Sequence, residues 1–255
     1  MPARVSEAIV LRTYPLGESD LIVSFLARDL GKLRGVAKRA RRPKSKFGAG
    51  LERLSRVQMH YFQRENRELA SLDSCELVDS PFHLLSDYAA SVMLDYLTEV
   101  SEQLLPPAES NEKFFRLLSS VLAYLQDHGV AGVWRVVTYF SLWAVRLAGF
   151  LPDLHVCMGC GTWLDDPESP ERSFYSRADA GLTCQHCRRP NTWELSLESR
   201  VRVQEMLKKP IEQITGDAGH EWTRETAADL RRYLIQRIEE SIERKLLTAP
   251  VLEAC

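Results

Sequence analysis

The sequence predicts an α+β protein of more than one domain: a small five-stranded β-barrel, then a helical region interrupted by a cysteine-bearing insertion. Three observations carry this prediction. Short apolar segments alternate with turn residues up to about residue 78, the apolar period turns helical after Pro81, and two Cys-x-x-Cys pairs fall in a turn-rich stretch between helices.

The segments EAIVLR, DLIVSFLA, KLRGVAK, RVQMHYF and ELASLDSCEL read as the five strands. Gly17, Gly31 and the Glu65-Asn66 pair mark turns between them, and Pro43 to Gly50 marks a longer loop. Val57, Met59 and Tyr61 alternate with Gln58 and His60, the period of a half-buried strand. Five short strands in about 75 residues suit a closed barrel of the OB type, whose sheet face and loops accommodate oligonucleotides.

After Pro81, DYAASVMLDYLTEVSEQLL (87–105) repeats apolar residues at helical spacing and stops at Pro106-Pro107. Asn111 is placed to cap EKFFRLLSSVLAYLQDHG, and a third helix runs from about Ala131 to Gly149. The most apolar part of that helix, VVTYFSLWAV (136–145), lies between Arg135 and Arg146; it falls short of the roughly 20 residues a membrane helix needs and reads as a buried core helix. Residues 153–193 then bring turn formers such as Asp165, Asp166, Pro167 and Pro170. Helices resume, and the last, about 223–247, places Leu230, Leu234, Ile238 and Ile242 on one face, with Glu240 and Arg244 able to pair on the other. The predicted domains are the barrel (1–79), a first helical part (80–152), the inserted module (153–193) and a C-terminal helical part (194–255).

The chain carries 33 Lys+Arg and 35 Asp+Glu, a net charge of −2, with 45% hydrophobic residues. The start, MPARVSEAIVLR, has an apolar run of only four residues, too short for an export signal, so the expected location is the cytoplasm, with no membrane partner. In that reducing compartment six cysteines are more readily explained by metal binding or packing than by a disulfide framework. The charge is unevenly spread. Residues 1–72 hold 15 lysines and arginines against 7 carboxylates, leaving 18 against 28 in the rest. Such asymmetry points to a polyanionic partner for the basic part.

CMGC (Cys157, Cys160) and CQHC (Cys184, Cys187) are two C-x-x-C knuckles separated by 23 residues. Each lets two thiolates reach one tetrahedral ion, and Gly159 and Gly161 give the first turn freedom to wrap it. Four sulfurs leave no open coordination position, so the expected cofactor is structural zinc. Two disulfides, or buried thiols without metal, are the alternatives; His186 is an alternative ligand, with a solvent-facing or supporting role the simpler reading. Cys75 reads as core and Cys255 as a terminal thiol.

Lys32, Arg34, Lys38, Arg39, Arg41, Arg42, Lys44 and Lys46 form the basic run, with no carboxylate between Asp29 and Glu52. Tyr14, Phe25, Phe47, Tyr61 and Phe62 are near in sequence as stacking surfaces, although several must be core. A run of this kind on a small barrel points to nucleic-acid binding through phosphates rather than base readout. Enzyme readings find little support: GKLRGVAK lacks the spacing of a phosphate-gripping loop, HEWTR (220–224) is not H-E-x-x-H, and there is no G-x-G-x-x-G or G-x-S-x-G. Glu18 and Asp20 are the carboxylates a metal-dependent nuclease would have to use, and a loop-capping or surface role explains them more simply. An RNA-binding zinc protein and a scaffold whose basic loop grips acidic peptides remain as rivals.

GESDLIVSFLARDLGKLRGVAKRARRPKSKFGAGLE (17–52) and LAGFLPDLHVCMGCG (147–161), with the order barrel, helices, cysteine insertion, helices, resemble the bacterial recombination-mediator RecO family over nearly the whole chain. The resemblance implies an N-terminal OB-fold that binds single- and double-stranded DNA, a helical domain, and a zinc module. It implies a non-catalytic role as well: annealing complementary strands, binding the acidic C-terminal tail of the single-stranded-DNA-binding protein, and working with RecR to load RecA in the nucleoid. By position, Lys38, Arg41, Arg42, Lys44 and Lys46 take the place of the DNA-binding loop, and the four cysteines that of the zinc site. The family often has Gly where this chain has Arg39, and Pro-Phe where it has Arg53-Leu54. Arg135 and Arg146, beside an apolar helix, are candidates for the acidic tail.

Overall fold

The computed structural model describes residues 3–63, 68–166, 168–214 and 222–255. The predicted Glu65-Asn66 turn, Pro167, and the His220-Glu221 start of HEWTR lie outside the described residues. The chain forms two compact units, Met1–Val130 with Ala254–Cys255, and Ala131–Glu253.

In the first unit β1 (Arg4–Leu16), β2 (Asp20–Ala27), β3 (Gly31–Ala37), β4 (Arg56–Phe62) and β5 (Leu69–Asp79) close a barrel in the order β1-β2-β3-β5-β4. This is the five-stranded OB arrangement the sequence predicts. Closure depends on β1 serving two neighbours. Its first half pairs with β4 and its second with β2, and a register shift between Val10 and Arg12 provides the bend. Pairing is antiparallel except between β3 and β5. The alternation read from β4 holds: Val57, Met59 and Tyr61 are buried, with Phe25 edge-on to Tyr61 at 5.8 Å between ring centroids. At Gly31 the backbone has φ +75°, and a Cβ would stand 1.8 Å from the Glu109 carbonyl oxygen, so only glycine permits the approach that lets Ala108 N–H donate to Lys32 O at 2.8 Å.

Two helices complete this unit, α1 (Tyr88–Leu104) and α2 (Glu112–His128). Asp87 caps α1 by accepting from Ala90 N–H at 2.9 Å, and Asn111 caps α2 by accepting from Phe114 N–H at 3.0 Å, as its position predicts.

The second unit holds α3 (Val133–Leu147), a three-stranded sheet of β6 (Ser173–Tyr175), β7 (Thr183–Cys184) and β8 (Trp193–Leu195) in the order β7-β6-β8, then α4 (Leu197–Lys208), α5 (Ala228–Ser241) and all but the last residue of α6 (Thr248–Ala254). The expected buried helix is α3, with Val136, Val137, Phe140, Leu142 and Val145 out of solvent. No helix among the described residues is long and apolar enough to cross a membrane.

The last predicted helix is corrected. It does not run from 223 to 247: α5 starts at Ala228, and a separate short helix follows. Ala227 (φ 55°) and Glu243 (φ 54°) adopt the left-handed conformation and bound α5 on both sides. The buried Arg231 holds the turn before it by donating to the Arg224 and Thr226 carbonyls. Glu240 takes Arg237 as its ion-pair partner at 2.5 Å.

Candidate nucleic-acid interface and metal centre

Between β3 and β4 the chain makes successive three-residue turns. Arg42 N–H donates to Arg39 O, Ser45 N–H to Arg42 O, Gly48 N–H to Ser45 O, and after Ala49 the pattern repeats through Glu52 and Ser55. Phe47, Leu51 and Leu54 are buried, and Phe47 and Leu51 join the barrel core. Leu54 N–H donates to Val10 O at 2.7 Å, tying the loop's end to the bend in β1. Apolar anchors facing inward leave the polar residues between them facing out, so Lys38, Arg39, Arg41, Arg42, Lys44 and Lys46 are all exposed.

Lys46 lies 3.2 Å from Asp73. The other five form no ion pair among the described residues. Asp20 accepts from Arg39 N–H at 2.7 Å, a loop-capping role; that bond, reinforced by Ser19 and by the charges of Lys38 and Arg39, holds its carboxyl below the usual range despite some desolvation. Arg34 is exposed, with its guanidinium 5.9 Å from the Tyr14 ring centroid and 3.9 Å from the Glu102 carboxylate. Lys32 is placed differently: its half-buried amine donates to the Glu102 carbonyl at 2.5 Å, and burial lowers its pKa. Of the nearby aromatics Phe25, Phe47 and Tyr61 are core, which leaves Tyr14 and Phe62 with accessible faces.

The four cysteines of the two knuckles come together, with ligand atoms of Cys157, Cys160, Cys184 and Cys187 all within 4.8 Å of one another. None of the six cysteines is in a disulfide. β7 delivers Cys184, and the first knuckle folds as a turn closed by Gly161 N–H donating to Cys157 O at 2.9 Å. The Cys157 sulfur accepts from Gly159 N–H at 3.4 Å and from Cys184 N–H at 3.2 Å, contacts that favour thiolate over thiol. A Cβ on Gly159 would stand 2.8 Å from the Cys187 sulfur, so glycine is what lets the second knuckle approach the first. Hydrogen bonds from Thr162 lower Cys160 to about 6, whereas the Cys160 and Cys157 sulfurs push Cys187 up to about 12. Four sulfurs this close, two of them, Cys157 and Cys160, already biased toward thiolate, fit a metal ion that would replace the shared protons. His186 is exposed and outside the cluster.

Residues 1–81 match the family model described as Recombination protein O N terminal, and residues 85–249 match Recombination protein O C terminal. The chain belongs to the RecO family. It is 44% identical over 248 residues to the DNA repair protein RecO of Koribacter versatilis, 97% of each chain. It is 33% identical over 196 residues to that of Cutibacterium acnes, 75% of this chain and 77% of the relative, and 30% identical over 243 residues to that of Bifidobacterium adolescentis, 94% and 93%.

In this RecO-family chain Arg135 and Arg146 both lie on α3, eleven residues and so about three turns apart, which puts them on nearly the same side. Arg146 is exposed, with its guanidinium 5.6 Å from the Trp143 ring centroid; Arg135 is half-buried. Sequence reasoning missed how the cysteine module is held. Asp165, from the insertion, accepts from His155 and lies 2.6 Å from Arg200 of α4, which is fully buried and also donates to the Glu171 carbonyl at 2.8 Å. Arg200 stands in a polar run, LESRVRVQEMLKK, where nothing marks one arginine as interior.

Proposed function

We propose that the chain is a non-catalytic, DNA-binding mediator of recombinational repair. It binds single- and double-stranded DNA through the exposed loop of residues 38–46, anneals complementary strands, and with RecR helps load RecA onto DNA coated by single-stranded-DNA-binding protein. The observation that carries this reading is the set of five cations, Lys38, Arg39, Arg41, Arg42 and Lys44, displayed on a barrel with no side-chain ion pair among the described residues, Asp20 being bonded to the Arg39 backbone N–H. Unneutralised charge is what lets a loop displace condensed counterions from phosphates, and two strands that share it lose part of their mutual repulsion while base pairing supplies the choice of sequence. Membership of a family whose relatives are named DNA repair proteins adds to it. Arg34, beside Tyr14, extends the same surface, and Lys32 supports it from beneath.

Zinc is the ion proposed for Cys157, Cys160, Cys184 and Cys187, as a closed site that supplies folding free energy and leaves no position for substrate. The acidic tail of the single-stranded-DNA-binding protein is assigned to Arg135 and Arg146 on α3. The site of action is the cytoplasm, at the nucleoid.

A salt series tests the reading. Binding to a labelled single strand should weaken with a log–log slope of about −3.5 if five phosphates are neutralised. Changing Arg41, Arg42 and Lys44 to Glu should abolish both the binding and the acceleration of strand annealing. Unchanged annealing by that variant would overturn the proposal.

A further inference from the structure

Beside the basic loop the first unit forms a half-open cavity of about 510 Å³, within the roughly 300–1,000 Å³ of small-molecule sites. Ala40, between the exposed Arg39 and Arg41, and Gly48 are part of its wall, so the cavity adjoins the basic loop. Its charged residues are Arg12, Glu52, Arg53 and Asp95, two of each sign, and Arg53 is already paired with Asp95 and donates to Ser91 Oγ at 2.7 Å. A phosphate would meet no excess of positive charge there. Leu21, Leu51 and Leu85 give it apolar walls. Thr98, on α1, also lines it; this residue is 2% exposed, and its hydroxyl has no hydrogen-bond partner. A buried, unsatisfied hydroxyl costs free energy that a ligand with a matching polar edge would recover.

An uncharged group with flat apolar faces and a rim of donors and acceptors, attached to a phosphate chain, meets all these requirements. We infer that the cavity receives one unpaired base of a single strand whose phosphates run along the 38–46 loop. The inference rests on the nucleic-acid reading of that loop and deepens it. A base in a duplex has its edge paired and its faces stacked, so it cannot enter; the cavity thereby distinguishes single strands from double ones and gives up its base when strands pair.

The test compares a labelled oligo-dT with a strand of equal length and charge in which every base is replaced by an abasic unit. The abasic strand should bind about tenfold more weakly with the same salt slope. Thr98→Val, which keeps the shape and removes the hydroxyl, should lower oligo-dT affinity about two- to tenfold and leave the abasic strand unaffected. Leu85→Trp, which fills the cavity from outside the loop, should bring the two strands to one affinity; unchanged abasic binding certifies that this variant folds, and Thr98→Val decides the matter if it does not. Equal binding of both strands by the unaltered protein, with a steep salt slope, would leave the loop reading standing and overturn the cavity. Binding of neither strand would overturn both.

Discussion

Arg39 holds a left-handed backbone (φ 58°), which costs an L side chain about 1–2 kcal/mol. Arg39→Gly relieves that strain while giving the unfolded chain more freedom, so urea titration should show the barrel more stable by about 0.5–1 kcal/mol. The lost cation should make the salt slope of DNA binding shallower by about 0.7. A stabilised variant with an unaltered slope would mean that Arg39 never touches phosphate. Gly159 gives the opposite case: Gly159→Ala places a methyl against the Cys187 sulfur and should lower bound zinc per chain well below one, measured by metal analysis after dialysis. Legibility differed among such residues. The turn role of Asp20 and the knuckle glycines follow from local spacing, whereas Lys32 and Arg200 owe their burial to partners distant in sequence, Glu102 and Asp165.

Helices α4 and α5 share a cap. Ser196 accepts from Ser199 N–H at 3.1 Å at the start of α4, and Asp229, in the first turn of α5, accepts from Ser196 N–H at 2.7 Å and Ser199 Oγ at 2.5 Å. Burial alone would raise Asp229; hydrogen bonds from Ser199, Ser196 and Leu230 N–H outweigh it and hold the carboxyl below its usual range. Its contribution is therefore present above the unfolded value near 3.9 and is lost as pH falls through the lower folded value. Asp229→Asn should destabilise the second unit by about 1–3 kcal/mol at pH 7, and the difference from the parent should shrink below pH 4. A pH-independent difference would rule out the charged cap. Element prediction worked where periodicity had room to act, as in β4 or α3. It missed β6, β7 and β8, whose two or three residues are too few for a period, and it overran α5, because the left-handed residues that bound it are Ala227 and Glu243 rather than glycines.

Two compact units imply two separable stabilities. The cysteine cluster belongs to the second unit, held through Arg200, so stripping metal with a chelator under reducing conditions should lower the melting transition of that unit and leave the barrel's in place. Calorimetry with and without chelator distinguishes this from a single cooperative collapse. It predicts further that metal-free protein retains salt-dependent DNA binding, since the loop belongs to the barrel. The turns that build that loop have another consequence. A stretch with six exposed lysines and arginines is, by composition, a prime target for trypsin. The protease needs an extended backbone, however, and the hydrogen-bonded turns together with Phe47, Leu51 and Leu54 in the interior withhold one. The bonds after Arg39, Arg41 and Lys44 should outlast limited digestion in the folded protein, so the display of charge that invites a polyanion does not expose the chain to cleavage.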